Sequence, residues 1–424
     1  MAVIGGGIIG CGVARDAAMR GLRVALFEKR DFGSGTTAAS TRIVHGGLRY
    51  LEMLDFRLVR LDLRERETLL RIAPHLVQPL EFLIPFLAPA SVSALKLRIG
   101  LTLYDALSPD KTLPSHRVLS ASEARTAVPS LQGLDVRGAA AYYDARVDLP
   151  ERLALENALD AETHGATILN YCEVLPSPMA DGRRGRLRVR DAIDPGEEAD
   201  ITATVVVNAT GAWWEQLAAA QTGNRPGRIR TTKGIHIVCP SRTERALVFF
   251  SAVDRRLMFA IPRAGLTWIG TTDTDYEGDP ADARATRADV DYVVASAGRM
   301  FPNLKADDVL YTTAGVRALV RERGRPSAVS RMHRIAEDAP LPGTVSILGG
   351  KITGYRAIAE DAVDAVCRRL NVGVPCSTAD APLPGGREGP HGDAPQAAHF
   401  LRALYGSRAS DVIEVAGSAP GLER

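Results

Sequence analysis

Three glycines, Gly5, Gly7 and Gly10, stand at G-x-G-x-x-G spacing at the start of the chain. That spacing suits a pyrophosphate. The first glycine permits a tight turn, the second lets a phosphate reach the backbone, and the third lets a helix pack close to a strand. Glu28 follows, where a carboxylate can accept hydrogen bonds from ribose hydroxyls. A second group is His45-Gly46-Gly47-Leu48-Arg49-Tyr50, whose paired glycines let the backbone approach a flat ligand. By itself this stretch reads equally well as a tight turn with surface cations. His236, Arg317 and Lys351 complete the set. Guanidinium and ammonium groups gathered beside a cofactor point to a phosphate or carboxylate substrate. A histidine beside an alcohol can take its proton while the carbon-bound hydrogen leaves as hydride.

The elements that must position these residues are legible in outline. Val3-Ile4 ends an apolar strand, a helix starts near Cys11, and Val24–Phe27 is a second strand ending at Glu28. This is a βαβ unit with its helix N-terminus aimed at the pyrophosphate. The loop Asp31–Thr41 is rich in Gly, Ser and Thr and leads to His45. An amphipathic helix is expected over Asp55–Ala73, with Phe56, Val59, Leu63 and Leu70 at helical spacing, Arg57, Arg60, Arg64 and Arg66 mostly on other faces, and its charges read as a solvated face. Residues 82–87 read as a strand. Residues 91–107 alternate like a strand, yet wound as a helix they place Arg98, Thr102 and Asp105 in a narrow polar wedge. That segment is either a buried element or a basic-edged helix on a membrane surface.

Further along, a helix over Leu149–His164 precedes a strand over Ala166–Val174 and a basic hairpin, Arg183–Arg190 with Asp200–Val205. The run Val205–Asn208 is a buried strand ending in a small-residue turn at Gly211, the return that two-part flavin domains make to their cofactor. Short alternating strands at 234–239, 246–250, 257–262 and 267–272 predict an antiparallel sheet roofing the site. His236 falls on the face opposite Ile235 and Ile237. Residues 345–355 read as strand, Gly-Gly turn and helix start, so glycine turns at 5–10, 208–211 and 349–354 frame one cofactor. Helices are expected over 286–300, 360–370 and 397–415.

With 424 residues the chain can build two or three domains. A net charge of +2 gives no reason to expect nucleic acid. Five cysteines without a C-x-x-C pair suit a reducing compartment, and no metal site is expected. No apolar run is long enough for a membrane-spanning helix, so the protein is expected to be soluble or peripheral.

The segments VIGGGIIGCGVARDAAMRGLRVALFEKRDFGSGTTAAST, RIVHGGLRYLEMLDFRLV, KLRIGLTLYDAL, VVVNATGAW, KGIHIVCP, IGTTDTDYEGDP, AGVRALV and LGGKITGYR resemble those of the FAD-dependent, quinone-linked glycerol-3-phosphate dehydrogenases. The match runs from residue 2 to about 390 in family order. The resemblance implies a glutathione-reductase-like, FAD-binding Rossmann-like α/β domain with an antiparallel-sheet substrate domain, an architecture related to amino-acid oxidases. FAD would be held noncovalently by Gly5, Gly7, Ile8 and Gly10, with its ribose on Glu28. Thr36, Thr37, Ser40, Gly46, Gly47, Val174, Gly211, Gly349, Gly350 and Thr353 would line the remainder. Sn-glycerol 3-phosphate would be held by Arg317 with Arg49, Tyr50, Thr272 and Lys351, and oxidised to dihydroxyacetone phosphate. His45 is the first candidate base and His236 the second. Electrons would pass to membrane quinone, placing the protein at the inner face of the cytoplasmic membrane and giving residues 91–107 a reason to touch lipid.

The expected division is an FAD domain from 1–75, 145–224 and 340–380, and a substrate domain from 76–144 and 225–339. Residues 385–424 open a C-terminal helical domain that the family continues further. Ala318 stands where the family usually has proline. Three readings remain at this stage: the quinone-linked dehydrogenase, a related flavin oxidase such as a glycerol-3-phosphate oxidase, and a catalytically silent flavin-binding protein. A homodimer is left open.

Overall fold

The structure, a computed structural model, describes residues 1–88, 94–175, 185–322, 330–337, 343–387 and 396–418. Arg183 and Arg184 of the expected hairpin and the first residues of the 91–107 segment lie outside them. A six-stranded sheet runs in the order Arg334–Ala336, Thr344–Leu348, Val206–Asn208, Ala2–Ile4, Ala25–Phe27, Thr167–Leu169. Every pairing is parallel except that of the edge strand Arg334–Ala336. That strand falls in a stretch expected within the substrate domain, but its ladder is with Thr344–Leu348. The helices Ile8–Met19, Pro150–Thr163 and Tyr355–Leu370 bury their apolar faces in the core beside Val3, Leu26, Val207 and Val345. A three-stranded antiparallel sheet packs Leu187, Val189 and Ala203 against Ala2, Ile4 and Phe27. The strands are therefore covered on both sides, which is why they read as near-continuous apolar runs.

The second layer is a ten-stranded sheet built from residues 77–147 and 229–320, joined by the short strand Ile43–Val44. It is antiparallel except where Ala246–Phe250 runs alongside Val77–Leu87. The strand Ile229–Pro240 is its hub, pairing with Leu266–Gly270, Thr274–Asp275 and Tyr311–Val320.

The helix Phe56–Ile72 starts at Asp55, whose carboxylate accepts from the Leu58 amide. Its polar residues differ from expectation. Arg57 and Arg64 face solvent, but Asp62, Glu65 and Arg66 are buried, each beside an opposite charge, while Phe56 is exposed. Buried charges survive only when paired. Residues Ala94–Ala106 are helical: Leu101 and Tyr104 enter the core, whereas Leu95 and Ile99 remain 67% and 60% exposed. Beyond residue 395, the helices Gln396–Tyr405 and Ala409–Ser418 dock through Ser407 Oγ on the Pro384 carbonyl and Arg152 stacked 4.0 Å from the Tyr405 ring.

Candidate active site

The glycine turn forms because its third glycine lets helix and strand touch. A Cβ on Gly10 would lie 1.8 Å from the Gly5 carbonyl oxygen. A Cβ on Gly7 would meet nothing nearer than Thr37 Oγ1 at 3.6 Å, so that backbone stays open to a ligand. Thr37 Oγ1 also accepts from the Ile8 amide at the helix start. The Glu28 carboxylate accepts from Gly6 N at 2.7 Å and from Arg30 N at 2.9 Å, which fixes it beside the turn.

A cavity of about 570 Å³ runs from this turn beneath the large sheet. At the cofactor end its wall includes Gly5, Gly7, Ile8, Glu28, Thr36, Thr37, Ser40, Val174 and Gly211. Further in come Gly47, Gly349 and Gly350, then His45, Arg49, Tyr50, His236, Arg317 and Lys351. The other expected residues stand just behind the wall. Gly10 sits at the strand–helix contact. Gly46 packs on Leu63 and Tyr104, and its amide points to Asp144 at 3.3 Å. Thr272 is buried and accepts from the Ile235 amide at 3.0 Å. Thr353 is also buried; its hydroxyl accepts from the His45 amide at 3.1 Å and reaches the His45 carbonyl oxygen at 3.3 Å. These four position the backbone that carries the site.

The residues fit FAD. An exposed glycine backbone, a helix N-terminus and the Glu28 carboxylate meet at one end, and the cavity continues past two further glycine turns to a histidine and a cluster of cations.

Two of the cations, Arg317 and Arg331, share one carboxylate. Arg317 donates to the Thr272 carbonyl at 3.1 Å, to Asp273 at 3.2 Å and to Thr271 Oγ1 at 2.9 Å. Arg331 donates to the other Asp273 oxygen at 3.0 Å. Gly234 makes room for this fork, since a Cβ there would lie 2.2 Å from an Arg317 nitrogen. Burial lowers the Arg317 pKa to about 10, with Arg331, Arg49 and Arg256 adding to the fall and Asp273 opposing it. Burial also resists ionisation of Asp273, but Arg317 and Arg331 outweigh it and hold the carboxyl below its usual range. Arg49 stacks 4.9 Å from the Tyr50 ring, and its Nε and one Nη are buried without a hydrogen-bond partner among the described residues. Buried donors left open in a cavity are what an anion fills.

The two histidines differ. His236 is pinned on both sides, by Thr313 Oγ1 at 3.3 Å and Thr41 Oγ1 at 3.1 Å, and burial lowers its pKa to about 3. No described residue hydrogen-bonds the His45 ring. Burial, Lys351 and Arg49 hold it well below the usual histidine range, so it is neutral and able to accept a proton.

Arg331, Arg256 and Asp273 also line this cavity and were not picked out as site residues in the sequence, whereas Thr41, which lines it too, closes the loop expected to border the cofactor. Asp273 follows directly on the recognised IGTT, but Arg331 and Arg256 lie in stretches without a motif.

The model of the FAD dependent oxidoreductase family matches residues 1–355. The chain is 39% identical to a glycerol-3-phosphate dehydrogenase of Synechocystis sp., over 99% of this chain and 81% of that protein. It is 37% identical to an aerobic glycerol-3-phosphate dehydrogenase of Bacillus subtilis, over 91% and 71%. Among solved structures it is similar to the glycerol-3-phosphate dehydrogenase of Bacillus halodurans complexed with FAD, with a TM-score of 0.79, 32% identity, and coverage of 99% and 78%. A glycine oxidase from Geobacillus kaustophilus, at a TM-score of 0.62 and 20% identity, shares the fold.

Proposed function

The chain belongs to the FAD-dependent oxidoreductase family and, within it, to the glycerol-3-phosphate dehydrogenases, and from that premise we propose how it works. It oxidises sn-glycerol 3-phosphate at C2 to dihydroxyacetone phosphate. The observation that carries the reading is the cluster Arg49, Arg256, Arg317 and Arg331 in the same cavity as a neutral His45. Bound FAD supplies the hydride acceptor, N5 of its flavin ring. Arg317 and Arg49 bind the phosphate with guanidinium N–H groups that the protein leaves unused, and Arg331 adds positive charge beside them. The His45 ring takes the C2 hydroxyl proton, and Thr353 holds its backbone so that the ring faces the substrate. His236, tied at both nitrogens, orients and packs rather than titrates.

The electron acceptor is membrane quinone. Supporting this, Leu95, Ile99 and Leu103 recur at helical spacing on Ala94–Ala106 and are exposed, as is Leu54, with Arg57, Arg98 and the Glu52-paired Lys96 also at the surface, which suits peripheral contact with the inner face of the cytoplasmic membrane. No helix of the described residues is long and apolar enough to cross a membrane. Anaerobic stopped-flow mixing with glycerol 3-phosphate should bleach the flavin absorbance, and reoxidation by a short-chain quinone should outrun reoxidation by O₂. Failure to bleach removes the substrate assignment; faster reoxidation by O₂ makes the protein an oxidase.

A further inference from the structure

Behind the cavity wall, three acidic side chains are buried. Glu65, on the helix Phe56–Ile72, pairs with Arg356 at 2.6 Å, and Asp144, on the strand Val136–Val147, pairs with Arg66 at 2.7 Å. Both partners belong to the interior. The third acid, Asp62, is different. It is 1% exposed, and its ion-pair partner is Lys351, whose ammonium lies on the cavity wall 4.7 Å from the Tyr50 ring. Apart from that ion pair, neither Asp62 oxygen has a hydrogen-bond partner among the described residues. A carboxylate taken out of water with one partner and no supporting donors is weakly compensated.

We infer that Asp62 is a positioning residue for anion binding: it holds Lys351 over Tyr50 and offsets part of the ammonium charge that the substrate would otherwise meet. The inference rests on the reading of Lys351 as part of the anion site. The groups facing Asp62 are Lys351 from the Gly-Gly turn, Glu65 from its own helix and Asp144 from the strand behind. On the cavity side, Lys351 and Arg49 both lie over the Tyr50 ring and both act on His45. Burial raises the Asp62 pKa to about 7, Lys351 pulls it down, and Glu65 and Asp144 push it up again. Asp62 is therefore ionised above neutrality, where it competes with the substrate for Lys351. Below neutrality it takes up a proton and the competition ends. An incoming anion binds better to the protonated form, so anion affinity rises as pH falls through about 7.

The test uses FAD-loaded wild type, Asp62→Asn, Lys351→Met and the double variant, with KM and kcat for glycerol 3-phosphate measured from about pH 6 to about pH 8.5. Substrate ionisation is common to all four, so the ratio of wild-type to variant KM isolates the protein. For Asp62→Asn that ratio should approach unity near pH 6 and rise about three- to tenfold by pH 8.5, with kcat within about twofold. In the Lys351→Met background, Asp62→Asn should change nothing. A ratio flat with pH, or an equal effect of Asp62→Asn with and without Lys351, overturns the proposal. If Asp62→Asn fails to fold, Lys351→Met alone must lose the wild-type pH step. Binding of inorganic phosphate, followed by the flavin absorbance change it causes, repeats the comparison without turnover. Wild type that binds phosphate with this pH step yet is not reduced by glycerol 3-phosphate refutes the substrate and keeps the role of Asp62.

Discussion

Replacing Arg317 with lysine isolates the phosphate contact from the rest of catalysis. A guanidinium carries five N–H donors. Three of them are committed, to the Thr272 carbonyl, Asp273 and Thr271 Oγ1. That leaves the Nε–H and one Nη2 proton for a ligand. Lysine keeps the charge but has three donors on a single atom, and satisfying the same carbonyl, carboxylate and hydroxyl uses all three. The variant therefore loses at least one charge-assisted hydrogen bond to phosphate, about 1.5–3 kcal/mol. KM for glycerol 3-phosphate should rise at least about tenfold, with kcat changed little. Slow oxidation of uncharged glycerol should be nearly unaltered, because glycerol has no phosphate to lose. Steady-state assays with a dye acceptor, normalised to flavin content, measure both substrates. If Arg317→Lys slows glycerol and glycerol 3-phosphate in equal proportion, Arg317 does not read the phosphate and the substrate assignment loses its physical support.

Gly10→Val should yield protein without FAD, seen as lost flavin absorbance after purification, because the new Cβ would fall 1.8 Å from the Gly5 carbonyl oxygen. His45→Ala should retain FAD while kcat falls by about 10²–10⁴-fold, as expected when a base acting in the transition state is removed. In wild type the acid limb of the kcat profile should lie below the ordinary histidine range. Burial with Lys351 and Arg49 favours neutral His45, so activity is lost only when pH falls through that depressed pKa; a limb at or above the ordinary value would refute the assignment. Leu95→Gln with Ile99→Gln should move the protein from the membrane pellet to the soluble fraction, since each buried aliphatic side chain contributes about 1.5–3 kcal/mol. Unchanged pelleting would place the membrane contact elsewhere.

The cofactor end of this protein is local in sequence. Gly5, Gly7, Gly10 and Glu28 lie within one βαβ unit, and the physical demands on them are steric and immediate, so spacing alone exposes them. The strands Val206–Asn208 and Thr344–Leu348, buried on both faces, were equally plain as apolar runs ending in glycine turns. The Ala94–Ala106 helix was ambiguous because five apolar residues at alternate positions satisfy both periods. Only packing decided it, by giving Leu101 and Tyr104 a core to enter and leaving Leu95 and Ile99 outside. The substrate end is non-local. Asp273 joins Arg317 and Arg331 only because the strand Ile229–Pro240 pairs with both Tyr311–Val320, which carries Arg317, and Thr274–Asp275, which Asp273 directly precedes, while a separate segment delivers Arg331. Asp62, Glu65 and Arg66 looked like a solvated face, since a helix wheel shows which residues share a side but not what covers it. Their partners, Lys351, Arg356 and Asp144, are between about 80 and 290 positions away in the chain, and charge partners at that separation are chosen by the fold.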